Sequence, residues 1–142
     1  MGILHSSDIK KGMIYIVWDG EVTWDMWRSQ MDTLMADPAW SVAPRFIADL
    51  WTVSDTSTIG AEEIDQAVGL FASNPSALAN KRGALVAMDE FGKAGKFVKQ
   101  VSRFGTSTVV FNNLDTACMF LGIDVSDTSH ALARLRSQLR GE

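Results

Sequence analysis

Residues 13–18 read Met-Ile-Tyr-Ile-Val-Trp and are apolar at every position. A strand with one wet face alternates apolar and polar side chains, whereas an unbroken apolar run needs cover on both faces. This run is therefore a strand between two layers. Three later runs, 46–53, 83–88 and 106–111, read as further core strands. Each is followed by a stretch with apolar residues on one side of a helix. Strand–helix alternation repeated four times implies an α/β fold. The expected sheet has four parallel core strands, joined by right-handed crossovers and packed with helices. Residues 2–5 read as a fifth, N-terminal edge strand.

The helix boundaries carry their own signals. Thr23 is the expected N-cap of the first helix, with Val22 and Trp27 at the positions of a hydrophobic staple. Trp24, Trp27, Met31, Leu34 and Met35 then form one stripe. Asp37-Pro38 ends that helix, and 39–44 reads as a connecting loop in which Trp40 plugs the core. Gly60 is the expected N-cap of the second helix, with Glu63 at N3 and Ile59 and Ile64 as its staple. The third helix is expected to open at residues 89–92 and to turn Ala94, Phe97, Val98, Val101 and Phe104 inward, with Gly105 closing it. Asn112 or Asn113 caps a fourth, with Leu114, Ala117, Cys118 and Leu121 inward. Residues 1–123 thus read as one α/β domain. Within 124–142, residues 124–129 read as a polar linker and 131–140 as an amphipathic helix. Its Leu132, Leu135 and Leu139 need cover from the domain, a second copy or a partner. A homodimer contact is the preferred expectation.

Composition narrows the function classes. The chain has 142 residues, 46% of them apolar, which suits one globular domain with a real core. A net charge of −4 argues against general nucleic-acid binding, which relies on a basic surface. The single cysteine excludes an internal disulfide and reads as a small buried residue. Residues 1–11 do not resemble a secretory signal, and no apolar run approaches spanning length, so a cytoplasmic location without stable membrane insertion is expected.

Catalytic motifs are missing where such a scaffold would carry them. There is no phosphate-binding glycine-rich loop and no Gly-x-Ser-x-Gly nucleophile turn. His5 and His130 lie in opposite terminal segments and read as solvated end residues. Asp19, Asp55, Asp89 and Glu90 gather at strand ends and could hold a hard cation, but turn and cap duties explain them without metal. Neither cofactor nor catalytic residue is expected, and the chain reads as non-enzymatic. Asp49 stands apart: it lies in a run meant for burial and needs hydrogen bonds or a charge partner. The expected donors are backbone N–H groups of the loop after Val53. Asp49 and Asp55 are thus the loop-organising carboxylates.

The stretch Asp-Leu-Trp-Thr-Val-Ser-Asp-Thr-Ser-Thr-Ile-Gly, residues 49–60, resembles the central motif of STAS domains, the anti-sigma-factor-antagonist group. Trp-Asp-Gly-Glu-Val-Thr before the first helix and Arg-Gly-Ala-Leu-Val-Ala in the third strand extend the likeness to the SpoIIAA-like STAS/SEC14-type proteins. So does Val-Val-Phe-Asn-Asn-Leu-Asp-Thr-Ala near the end, and the likeness covers roughly 13–123. It implies a bacterial binding domain of regulatory type, acting on an unidentified protein partner. It also implies that Ser57, and next Thr56, match a phosphorylatable serine, although Gly60 arrives later than in that motif. Helix capping and loop solvation account for the same hydroxyls. The SEC14 side of the likeness implies a small apolar or lipid-like ligand instead. Trp24, Trp27, Trp40 and Trp51 with Met26, Met31 and Met35 would then line a pocket. Lys93, Lys96, Lys99 and Arg103 share one helix side, which is either a solvated face or, at Lys93 and Lys96, a contact for an acidic partner or anionic ligand.

Overall fold

The computed structural model describes residues 2–88 and 92–142. Five strands form one sheet in the order β1-β2-β3-β4-β5: β1 Gly2–Asp8, β2 Met13–Glu21, β3 Arg45–Asp55, β4 Arg82–Val86 and β5 Ser107–Phe111. β1 runs antiparallel to β2, and the other neighbours are parallel. The helices are α1 Trp24–Ala36, α2 Pro38–Val42, α3 Ala61–Ser73, α4 Lys93–Val101, α5 Leu114–Leu121 and α6 Val125–Leu139. The mainly parallel four-stranded core with an N-terminal edge strand matches the sequence expectation.

The apolar runs divide by parity, as two covered faces require. Ile14, Ile16, Phe46, Ala48 and Leu85 face a core shared with α1, α2, α3 and α4. Met13, Tyr15, Val17, Ile47, Ala84 and Val86 face a second core closed by α5 and α6. Gly83 belongs to the packing of the first core, because a Cβ there would stand 2.1 Å from the ring of Phe46. Phe46 in turn lies 5.2 Å from Trp40, which is buried as the expected plug and donates its indole N–H to Ala77 O at 2.9 Å.

The caps form as the residues suggest. Thr23 Oγ1 accepts from Met26 N at 3.2 Å, Glu63 Oε1 accepts from Gly60 N at 2.8 Å, and Asn113 Oδ1 accepts from Thr116 N at 2.9 Å. Gly105 and Gly122 close their helices with positive φ.

Three expectations need correcting. Residues 39–44 hold most of a short helix, α2, because Asp37 Oδ1 caps it by accepting from Ala39 N at 2.9 Å. The third helix, by contrast, turns its expected stripe inward as α4 and then as a 3-10 turn over Ser102–Phe104, and Gly105 closes it as expected. Its expected opening at 89–91 lies outside the described residues, and Gly92 is the N-cap of α4. Residues 124–129 are no linker: Asp124 accepts from Asp127 N at 2.9 Å and starts α6 one residue later. Polar residues on the solvent side of a first turn have the composition of a loop. The leucine stripe expected to seek a second copy is covered at home, with Leu132 and Leu135 buried and Leu139 packed beside them on the sheet.

Leu132→Ala should therefore cost about 2–5 kcal/mol, the usual range for a truncated core leucine. Urea unfolding of the two proteins measures it. A loss near zero would mean that α6 is not part of the folded core.

Candidate functional site

β3 is irregular where it matters. Val17 pairs with Asp49 and Asp19 with Thr52, so β3 carries one residue more than β2 between these pairs. That extra residue is a bulge, which breaks the side-to-side alternation. Leu50 and Trp51, neighbours in sequence, consequently line the same cavity. Asp49 lies on the opposite side of the bulge, toward α6. Its Oδ1 accepts from Trp51 N at 2.9 Å and its Oδ2 from Arg136 Nη2 at 2.5 Å. Among the described residues it takes no bond from the loop after Val53, contrary to expectation. A buried carboxylate needs a cation more than it needs loop amides, and α6 supplies one.

A second pair stands one step along the sheet. Arg140 donates from Nε and Nη2 to the two oxygens of Asp19, each at 2.9 Å. Thr52 Oγ1 donates to Asp19 Oδ1 at 2.6 Å and accepts from Arg136 Nε at 3.3 Å. The Arg140 guanidinium, with help from the Thr52 hydroxyl, holds the Asp19 carboxyl well below the usual carboxylate range, against the opposing effect of burial. The sequence shows that Asp49 needs a partner and that Arg136 and Arg140 lie in the same helix as the leucine stripe. Sequence reasoning did not join them, because 87 residues separate Asp49 from Arg136. It also missed Lys81, a buried residue whose ammonium donates to the carbonyls of Trp40 and Ala43 and stands 4.6 Å over the Trp40 ring. Burial pushes its pKa down.

The cavity lies on the other face, between the sheet and helices α1, α3 and α4, and holds about 480 Å³. All four tryptophans singled out by sequence, Trp24, Trp27, Trp40 and Trp51, line it, with Met31 and Met35. Met26 is exposed and outside the lining. Trp24 and Trp27 stack at 5.2 Å, and Trp27 meets Phe71 edge-on at 6.5 Å. Trp51 is 43% exposed and Met88 72% exposed, so they stand at the mouth.

The hydroxyl-rich loop forms one lip of that mouth. Asp55 Oδ1 accepts from Ser57 N at 2.8 Å, and Thr56 O accepts from Ile59 N at 2.9 Å, which closes a tight turn. Thr58 Oγ1 accepts from Trp24 N at 2.9 Å and ties the turn to α1. Lys93 Nζ donates to Thr56 O at 2.6 Å and to Thr56 Oγ1 at 3.0 Å, which ties it to α4. Thr56 and Lys93 line the cavity, while Ser57 is exposed at the tip and Lys96 is exposed on α4 away from it. The two carboxylates left from the expected rim cluster are committed elsewhere, Asp19 to Arg140 and Asp55 to the turn. Among the described residues no group of three or more His, Cys, Asp or Glu could hold a metal ion. Among them, too, no helix is long and apolar enough to cross a membrane.

An uncharacterized protein of the DUF3478 family from Shewanella loihica, with a SpoIIAA-like fold, superposes on this chain with a TM-score of 0.52. The match covers 84% of this chain and 94% of the other at 12% identity. This chain has the SpoIIAA-like fold. At that identity the likeness is one of fold alone. No family model matches the sequence, and no curated protein matches it. Within the SpoIIAA-like fold of this chain, the bulge, the pinned loop and the tryptophan-walled cavity form one connected site.

The Asp19–Arg140 pair makes a pH prediction. A carboxyl whose folded pKa is lowered stabilises the fold above its unfolded value, near 4, and loses that contribution as pH falls toward the folded value. Asp19→Asn should therefore melt below the wild type at pH 7, and the gap should narrow steadily below about pH 4. Thermal melts across that range measure it, and a gap independent of pH would remove the charge pair as its cause.

Proposed function

We propose that this chain is a non-enzymatic binding domain whose ligand is a small apolar molecule held in the tryptophan-walled cavity. The observation that carries this reading is the cavity itself. Side chains from β2, β3, α1, α3 and α4 surround one space whose size falls in the range of roughly 300–1,000 Å³ typical of small-molecule sites. Its walls are aromatic and thioether surface, which gains by excluding water from an apolar guest. A core with no guest to hold would be filled to crystal-like density by its own side chains. The SEC14 side of the sequence resemblance agrees with this reading.

Titration with the neutral probe diphenylhexatriene tests it. One probe should bind per chain and quench tryptophan emission. Trp51→Ala should weaken binding by about tenfold or more, the usual loss for one large aromatic contact. Ala48→Leu, which adds bulk inside the cavity, should block the probe while the protein stays folded. A wild-type protein that leaves the probe unbound would remove the ligand reading.

Protein interaction, the first expectation from sequence, keeps one observation of its own. Ser57 is exposed at the tip of a turn whose neighbours are pinned on both sides. Under that reading Ser57→Asp changes which proteins the chain captures from a bacterial lysate and leaves the melting temperature within about a degree, as surface changes do. Identical capture by wild type and variant would count against it.

A further inference from the structure

We infer that the cavity takes an amphiphile with one anionic head, a long-chain carboxylate, whose head sits at Lys93 and Thr56. This rests on the ligand reading above and names its chemistry. Most of the lining is apolar and suits an alkyl chain, but the lip is not. Lys93 is exposed at the first position of α4 and lines the cavity with Thr56. An ammonium has three N–H donors. Two go to Thr56 O and Thr56 Oγ1, at 2.6 and 3.0 Å, and the third is left over. Among the described residues no carboxylate pairs with this ammonium.

Thr56 contributes a second donor. Its Oγ1 accepts from Lys93, so its own O–H proton is free for another acceptor. The two donors are adjacent, and a carboxylate offers two oxygens to match them. The first turn of α4 starts at the same point, contains no acidic residue and presents free N–H groups at its positive end. A neutral guest would cover part of the ammonium's water shell and return nothing for it.

The test compares two guests of equal chain length, palmitate and hexadecanol, on lipid-stripped full-length protein. Guest concentrations stay below those at which the free lipids aggregate. Tryptophan emission and native mass spectrometry report binding. Wild type should hold palmitate about tenfold or more tighter than hexadecanol, the size of one charge-assisted hydrogen bond. In Lys93→Met, which keeps an unbranched apolar stem, that ratio should fall to about one, and Thr56→Val should lower it part of the way. Equal affinity for the two guests in wild type, or a ratio that survives Lys93→Met, would overturn the carboxylate assignment and leave the apolar cavity standing. Failure of both guests to bind, with diphenylhexatriene also excluded, would overturn the cavity reading together with it.

Discussion

The pairing of Asp49 with Arg136 fixes the place where the two faces of the sheet meet. One oxygen of Asp49 takes the guanidinium of α6, and the other takes the N–H of Trp51, beside the extra residue of the β3 bulge. The charge contact on one face thus sets the backbone that turns Leu50 and Trp51 into the cavity on the other. Arg140, Asp19 and Thr52 repeat the arrangement one step along and hold the adjoining part of β2 against β3. A buried carboxylate without these cations would be costly, so the C-terminal helix and the irregular strand stabilise each other.

The cavity keeps its shape because its walls brace one another. Trp24 and Trp27 stack on α1, Trp27 meets Phe71 of α3, and Phe71 meets Phe97 of α4 at 5.8 Å. A chain of rings therefore links the three helices across the space. Broad, rigid side chains in edge-to-face contact resist collapse better than flexible aliphatics. The pinned turn does the same at the lip, where α1 and α4 each hold one of its threonines.

The fold was legible because its signals are local. Apolar runs, caps at Thr23, Gly60 and Asn113, and glycines at helix ends each read out from a few neighbouring residues. The site was legible only as ingredients. The tryptophans, Thr56 and Lys93 stood out, but a void is a property of packing across layers and leaves no pattern along the chain. Asp49 announced its need for a partner but not the identity of Arg136. The bulge was hidden because Leu-Trp-Thr-Val reads as well in a regular strand as in an irregular one. The start of α6 was hidden by its own solvent-facing polar residues, which local composition does not separate from a linker.

The placement of α6 has a consequence for how the molecule is made. This helix lies across β1 and β2, and the Gly2 backbone sits close to Leu139. During synthesis the ribosome releases the whole sheet before it releases α6, which with α5 covers one of its faces. Met13, Val17 and Ile47 wait for that time without α6 over them, and Asp49 waits for Arg136. The docking of α6 on β1 and β2 joins residues far apart in sequence, a kind of contact that is slow to form. Until it happens the nascent sheet offers a sticky apolar surface, the kind that holding chaperones cover.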